Sequence, residues 1–191
     1  MDDQVLSSDA IAFNGDKYLQ VEIAKLIKKH NIRSVIETGT HAGCSTAAFT
    51  EMAHAVFSVE LNIDLFDAAQ ERLRGKTNKL LSLGNSPDVL YDILSAIEGP
   101  HLFYLDASGK DYWPLLDELI VIYRFSHCRD CVIVMPGFYV PGSDFGYYTY
   151  KEQRLDFDYI KQKIYNINPN FQYYYNTQAE GGKRGCIFIH P

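Results

Sequence analysis

The sequence predicts a three-layer α/β fold, in which helices cover both faces of a doubly wound, mostly parallel sheet of seven strands. Apolar runs rich in β-branched residues alternate with amphipathic segments from residue 16 to residue 167. This alternation is typical of helices packed on a parallel sheet. The last two apolar runs are separated only by the turn AEGGKRG, which has no room for a crossover helix. They are therefore expected to pair antiparallel as a hairpin at one edge of the sheet.

Each element rests on its own local pattern. In DKYLQVEIAKLIKKH, Leu19, Ile23 and Leu26 share one helical face with lysines opposite. RSVIET is a β-branched run suited to a buried parallel strand. Ser86 is expected to cap a helix that has Pro87 in its first turn. The predicted strands are 33–38, 55–60, 80–84, 101–106, 131–136, 171–176 and 184–190. The predicted helices are 16–30, 44–52, 61–75, 86–97, 111–125 and 156–167.

Length and composition indicate one domain over residues 1–191, with an N-terminal segment at 1–15 and an aromatic loop at 136–153. The net charge of −6 disfavours binding to nucleic-acid phosphates. MDDQVLSSDA lacks the features of a secretory signal, and no apolar run is long enough to cross a membrane. Four scattered cysteines do not form a disulfide framework, so we expect a cytoplasmic protein.

The turn after the first predicted strand, Glu37-Thr-Gly-Thr-His-Ala-Gly-Cys-Ser45, is the strongest candidate for a ligand site. In a doubly wound sheet, ligands bind beyond the carboxyl ends of the strands, and this turn lies there. Gly39 and Gly43 permit positive φ and a close approach of the backbone to a ligand. The helix that follows exposes free N–H groups at its start.

The spacing of the glycines argues against a phosphate ligand. A dinucleotide-binding turn that begins at Gly39 would need glycine at positions 41 and 44, which hold His41 and Cys44, and the turn has no P-loop lysine. Glu60 ends the second predicted strand, where a carboxylate can accept hydrogen bonds from ribose hydroxyls. The pattern therefore favours a nucleoside with a charged tail that is not a phosphate.

Three signals in order, each at a strand end, resemble the class I S-adenosylmethionine-dependent methyltransferases. They are Glu37-x-Gly39-x-x-x-Gly43-x-Ser45-Thr46, then FSVE ending at Glu60, then LFYLDAS with Asp106. The resemblance covers residues 16–135 and, in outline, the terminal hairpin.

The resemblance implies S-adenosyl-L-methionine as cofactor and assigns roles by position. Gly39 and Gly43 would contact its methionyl part and Glu60 its ribose, while Asp106 would lie near its amino group and the acceptor. Asn85 stands where many members have an acid near the adenine, and its amide oxygen can still accept from the adenine amino group. The expected cofactor-binding residues are Glu37, Gly39, Gly43, Ser45, Glu60, Asn85, Ser86 and Asp106.

His41 is the only histidine in the binding turn and is, with Asp106, our candidate catalytic residue, although an ordinary loop histidine fits the sequence equally well. His54, His101 and His127 precede predicted strands, which places them at the opposite edge of the sheet. We interpret the isolated Cys128-x-x-Cys131 as structural, because a zinc site would need further ligands.

The aromatic loop at 136–153 follows the fifth predicted strand beside the expected cofactor site. We expect Tyr139, Asp144 and Tyr147 to contact the acceptor; the alternative is an aromatic cluster that packs against the hairpin. Metal-dependent members of the family commonly have paired acids at this strand end, but this chain has Met135-Pro136-Gly137. The resemblance therefore implies catalysis without a metal ion.

The leading hypothesis is an enzyme that transfers a methyl group from S-adenosylmethionine to a small-molecule acceptor. One alternative is a methyltransferase-like domain that binds a nucleoside or a partner without catalysis. A weaker one is an NAD-dependent oxidoreductase. We expect no nucleic-acid or membrane partner, and the aromatic loop or the edge hairpin offers a surface for a homodimer.

Overall fold

A computed structural model of the chain describes residues 11–109 and 112–191, and a sheet of seven strands forms its centre. The strands are β1 Ser34–Thr38, β2 Ala55–Glu60, β3 Lys79–Leu83, β4 His101–Leu105, β5 Val132–Pro136, β6 Thr149–Tyr150, β7 Gln153–Arg154, β8 Gln172–Tyr175 and β9 Cys186–His190. The helices are α1 Lys17–Lys29, α2 Cys44–Met52, α3 Ile63–Arg72, α4 Ser86–Ala96, α5 Leu115–Arg124 and α6 Phe157–Ile167. Most of the predicted N-terminal segment, including MDDQVLSSDA, lies outside the described residues, as does Asp111, where a helix was predicted to start.

The strand order is β3-β2-β1-β4-β5-β9-β8, with β6 and β7 as a separate short hairpin. Strands β1 to β5 pair in parallel, and β9 lies antiparallel between β5 and β8. The chain leaves β1 toward β2 on one side and later returns to β4 on the other, so the strand order reverses at β1. The predicted fold class and its antiparallel edge hairpin are confirmed.

Two apolar layers cover the sheet. On one face α1 and α2 bury Ile23, Leu26 and Phe49 against the strands, and on the other α4, α5 and α6 bury a larger set that includes Leu90 and Ile160. Strands β1, β4, β5 and β9 are buried along their whole length. This burial on both faces explains why these strands read as nearly continuous apolar runs. None of the helices in the described ranges is long and apolar enough to cross a membrane.

Two local predictions need correction. Ser86 is the first residue of α4 and does not cap it; the N-cap position belongs to Asn85. The fifth helix begins at Leu115 after Pro114, later than the predicted start. In both cases a proline near the helix start fixes φ, and the pattern of polar residues alone does not reveal which neighbour is the first helical one.

The aromatic loop is fastened to the C-terminal hairpin by backbone hydrogen bonds. Phe138 N–H donates to Gly185 O over 2.9 Å, Gly185 N–H donates to Gly146 O over 2.9 Å, and Tyr148 N–H donates to Gly137 O over 2.7 Å. The pair β6–β7, which the sequence did not predict, closes the end of this loop. The loop and the turn before β9 therefore form one supported structure beside the end of β5.

Gly185 is the tightest point of this contact, because a Cβ atom there would lie 2.1 Å from Phe138 O. Gly185→Ala is expected to lower the free energy of unfolding by about 1–3 kcal/mol, the range for overpacked sites, as measured by urea denaturation. Gly182→Ala is the matched control, since its nearest neighbour would be 3.6 Å away. Equal stability of the two variants would contradict this account of the loop.

Candidate active site

A cleft opens at the carboxyl ends of β1, β2 and β4 and has two chambers. The first, of about 400 Å³, is lined by Glu60, Leu61, Asn85, Ser86 and Tyr112 among others. The second, of about 440 Å³, is lined by residues that include Glu37, Ser45, Tyr104, Tyr148 and Arg184. Gly39, His41, Asp106 and Ser108 line both chambers. We refer to these as the Glu60 chamber and the Arg184 chamber.

The two glycines of the turn serve different contacts. Gly39 has φ +82°, and a Cβ atom there would lie 2.8 Å from Asp106 O, so the turn passes directly beside the end of β4. Gly43 has φ +77°, and its Cβ position faces Ala69 at 3.1 Å. Gly39 lines both chambers. Gly43 is absent from the lining of either chamber, and its lack of a side chain lets α2 pack closely on α3.

The start of α2 offers hydrogen-bond donors to the Arg184 chamber. Gly43 occupies the N-cap position and has no side chain to cap the helix. Ser45 Oγ accepts a hydrogen bond from Phe13 N–H over 3.0 Å, so its own O–H remains able to donate. A helix N-terminus beside a hydroxyl donor favours a carboxylate ligand.

Glu60 is held in place by backbone donors. Its Oε2 accepts from His41 N–H over 2.7 Å, and its Oε1 accepts from Leu61 N–H over 3.0 Å and Asn62 N–H over 2.9 Å. A carboxylate has about four acceptor positions, so one remains for a hydroxyl of a ligand. Glu60 is 7% exposed, at the wall of its chamber. This geometry suits recognition of a ribose.

Asn85 and Ser86 reach the Glu60 chamber in different ways. Asn85 Nδ2 donates to Asp88 Oδ2 over 3.0 Å, which leaves the amide oxygen able to accept from an amino group. The Ser86 hydroxyl instead donates to the buried carboxyl of Glu118. The Ser86 hydroxyl proton is therefore engaged with α5, and its oxygen can only accept from a ligand.

Glu37 is 1% exposed beneath the Arg184 chamber. Thr46 Oγ1 and Ser58 Oγ donate to its Oε2 over 2.5 and 2.6 Å. Burial raises the pKa of Glu37 to about 7, the two hydroxyl donors oppose the shift, and the nearby Asp106 and Glu60 carboxyls add to it. A ligand cation in this chamber would favour the ionised carboxylate.

Asp106 lies where the two chambers meet. Burial raises its pKa to about 7, partly offset by the Arg184 guanidinium and the Tyr148 hydroxyl. Within residues 11–109 and 112–191, Asp106 Oδ1 is buried and has no hydrogen-bond partner. An unsatisfied buried carboxyl oxygen in a cleft is a natural acceptor for a ligand donor.

Tyr148 and Arg184 are site residues that the sequence analysis missed. Arg184 Nη1 donates to the Tyr148 hydroxyl, and the guanidinium carbon lies 5.0 Å from the Tyr148 ring centroid. No ion pair in the described part of the chain includes Arg184. The antiparallel hairpin could have indicated Arg184, because an antiparallel β9 must start beside the end of β5, at the same edge of the sheet as the cleft.

The residues predicted to contact an acceptor are not part of the cleft lining. The guanidinium of Arg154 lies 3.7 Å from the Tyr139 ring centroid, and Tyr147 packs edge-on against Tyr139 at 5.1 Å. Asp144 is exposed and also absent from the lining of both chambers. Tyr139 and Tyr147 thus pack with each other and with Arg154 of β7. His41 is at the exposed rim of both chambers.

Comparison with solved structures identifies the fold. An O-methyltransferase from Bacillus cereus in complex with SAH is similar with a TM-score of 0.69 and 16% identity, over 91% of this chain and 80% of that one. The O-methyltransferase TomG from Streptomyces achromogenes, in complex with SAM, has a TM-score of 0.63 and 12% identity, over 90% of this chain and 78% of that one.

An rRNA methylase from Streptococcus thermophilus is also similar, with a TM-score of 0.58 and 11% identity over 88% of this chain and 93% of that one. No protein-family model matches the sequence, and a search of curated proteins finds no match. The chain therefore has the fold of the class I methyltransferases. Because the similar structures include both O-methyltransferases and an rRNA methylase, the fold does not select an acceptor.

The buried Glu37 predicts a pH dependence of stability. A carboxyl whose folded pKa is raised from 4.5 to about 7 stabilises the fold below its unfolded pKa, and this contribution is lost as pH rises through about 7. In the wild type this carboxyl makes the free energy of unfolding decrease between pH 4.5 and 7. Glu37→Gln removes the titrating group, so its free energy of unfolding is expected to decrease less steeply over this range. The difference between the two slopes should approach about 1.4 kcal/mol per pH unit.

Urea denaturation at several pH values measures this slope. Glutamine can still accept from both hydroxyls, so the variant tests the charge and keeps the contacts. The control is Glu71→Gln, at an exposed position on α3. An unchanged slope in Glu37→Gln would contradict the raised pKa.

Proposed function

We propose that this protein is an S-adenosylmethionine-dependent methyltransferase that acts on a hydroxyl oxygen of a small molecule. The observation that carries the proposal is the convergence of Glu60, the N-terminus of α2 with Ser45, and the unpartnered Asp106 Oδ1 around one cleft. Each matches a different part of one ligand, which has a ribose, a carboxylate and an ammonium group.

The residues fit this cofactor along its length. The Glu60 chamber takes the nucleoside, with Glu60 accepting from the ribose and the Asn85 oxygen accepting from the adenine amino group. The N–H groups at the start of α2 and the Ser45 hydroxyl hold the carboxylate. Asp106 Oδ1 accepts from the ammonium group, with the charge of Glu37 nearby. A chamber volume of about 400 Å³ is within the usual range for small-molecule sites.

S-adenosylmethionine supplies an electrophilic methyl group on a sulfonium. The protein has to align the acceptor oxygen with that methyl group and to remove the acceptor proton, and alignment alone can supply much of the rate. The Arg184 chamber places a cation and the Tyr148 hydroxyl beside Asp106. A guanidinium beside the acceptor oxygen would stabilise negative charge that develops on it, and Asp106 or His41 can receive the proton.

We further propose that transfer needs no metal ion. Met135, Pro136 and Gly137 end β5 without a carboxylate, and all three are buried. Arg184 enters the chamber on this side and contributes the positive charge. The cleft does not support the NAD-dependent alternative. Its turn has no third glycine that would let a pyrophosphate approach the backbone, and it places carboxylates beside the start of α2.

Localisation and assembly stay predictions. Cys128, Cys131 and Cys186 are free thiols, which supports a cytoplasmic location. The edge strand β8 exposes Tyr173 and is the surface we propose for a homodimer. Both proposals are independent of the assignment of the cleft.

Calorimetric titration with S-adenosylhomocysteine tests the cofactor. The wild type is expected to bind with one site per chain, and Glu60→Gln is expected to bind about 10-fold to 100-fold more weakly, the range for a hydrogen bond to a charged group. Glu71→Gln, exposed on α3, should bind like the wild type. The absence of heat and of thermal stabilisation at millimolar ligand would refute the proposal. Binding of NAD in its place would favour an oxidoreductase.

The roles of Tyr148 and Arg184 can be separated from cofactor binding. Tyr148→Phe and Arg184→Gln are expected to bind S-adenosylhomocysteine within about 3-fold of the wild type but to lose about 10²–10³-fold in kcat, the range for losing one transition-state donor. The assay measures S-adenosylhomocysteine release with a panel of small hydroxylated acceptors. Tyr147→Phe, next in sequence but outside the cleft, is the matched control. Equal activity of Tyr147→Phe and Tyr148→Phe would exclude Tyr148 from the reaction.

A further inference from the structure

A second cluster of chemically active side chains lies at the opposite edge of the sheet. His101 begins β4, and His127 and Cys128 belong to the short 3₁₀ turn that leads into β5. One ring nitrogen of each histidine and the Cys128 sulfur all lie within 4.8 Å of one another. His101 and Cys128 are fully buried, and His127 is partly exposed. Strand polarity separates this cluster from the cleft by the length of β4, about 16 Å at the usual rise per residue.

The ring nitrogens of this cluster are not satisfied. His101 Nδ1 is 2.6 Å from Ser34 Oγ, which leaves Nε2 as its other polar atom. In the described part of the chain, Nε2 of His101 and Nε2 of His127 are both buried without a hydrogen-bond partner. Buried polar atoms are almost always paired, so two unpaired imidazole nitrogens in one cluster with a thiol require an explanation.

We propose that His101, His127 and Cys128 bind one Zn²⁺ ion. Two imidazole nitrogens and a thiolate are ligands that zinc prefers. Bond lengths of about 2.0–2.1 Å to nitrogen and 2.3 Å to sulfur place tetrahedral ligand atoms about 3.3–3.6 Å apart. The observed separations, within 4.8 Å, need an approach of about an ångström, which small side-chain rotations supply. The fourth position is left to water on the partly exposed side of His127.

The surroundings of the cluster match a metal site. Ser34 bonds the non-ligating nitrogen of His101 and so fixes its ring, as outer partners of zinc-binding histidines do. Phe103 and Phe125 pack against the two imidazoles with centroid distances of 6.0 and 5.5 Å, which gives both rings an apolar neighbour. The ion would join the start of β4 to the turn that leads into β5, so its effect is on the stability of the fold and not on methyl transfer.

Cobalt provides the test, because Co²⁺ occupies zinc sites and its absorption reports a thiolate ligand. Reduced, chelator-treated protein is titrated with Co²⁺, with expected near-ultraviolet thiolate-to-cobalt absorption and intense visible bands that saturate at one ion per chain. Zn²⁺ should then displace the cobalt, and excess Zn²⁺ should raise the melting temperature. These readouts do not depend on activity.

Substitutions test which side chains bind the metal ion. Cys128→Ser and His127→Gln are expected to bind Co²⁺ at least 100-fold more weakly, and Ser34→Ala, a positioning residue, about 10-fold to 100-fold more weakly. His54→Gln at the same edge and Cys186→Ser on β9 are controls that should bind like the wild type. Circular dichroism checks folding, and partly exposed His127 provides a variant with little packing cost. No cobalt absorption in the wild type, or unchanged affinity in either ligand variant, would overturn the proposal.

Discussion

The cleft depends on backbone hydrogen bonds that extend the parallel ladder one residue beyond the strand ends. Gly39 N–H donates to Val59 O over 3.0 Å, and Asp106 N–H donates to Thr38 O over 3.1 Å. These bonds tie the glycine turn to β2 and the end of β4 to β1. Since a side chain at position 39 would collide with Asp106 O, the spacing of the two strand ends is fixed by backbone atoms. The close contact between Gly39 and Asp106 therefore sets the positions of the side chains that line the cleft.

The second constraint is electrostatic. Burial raises the pKa of Glu37, Asp106 and Glu118 to about 7 each, and all three are near the cleft. Arg184 is the basic side chain that lines the cleft within the described residues. The site is therefore short of positive charge near neutral pH, and a cationic ligand relieves this shortage by stabilising the ionised carboxyls. The ammonium group and the sulfonium of the proposed cofactor would supply that charge.

The sequence predicts the fold and the half of the site formed by strand ends, because both follow from short-range patterns. Glu37, Glu60 and Asp106 each end an apolar run, and parallel strands bring such ends to one edge. Tyr148 could not be distinguished from Tyr147 or Tyr139, because hydrogen bonds between distant loops decide which ring faces the cleft. Gly43 fits the glycine spacing of the motif, but in the structure it packs against α3. The spacing of residues within the turn does not predict this contact.

For the histidines, too, the sequence predicts the position of each residue along its strand but not which residues are neighbours in space. Strand polarity correctly placed His101 and His127 away from the glycine turn. Their proximity depends on β4 and β5 being neighbours in the sheet, which follows from the strand order and not from either segment alone. Of the two histidines proposed to act with Cys128, His127 is its neighbour in sequence, whereas His101 begins β4 and comes close only in the folded chain.

The position of β9 has a consequence for how the sheet is completed. This strand inserts between β5 and β8, and it pairs with residues more than fifty positions earlier, as in Ile133 with Ile189. A chain in which β9 has not yet inserted leaves the inner edges of both β5 and β8 unpaired, and such edges readily join strands of other molecules. Insertion of β9 forms contacts between distant parts of the chain, and such contacts form slowly during folding. Aggregation in this protein should therefore begin at the apolar inner edge of β5.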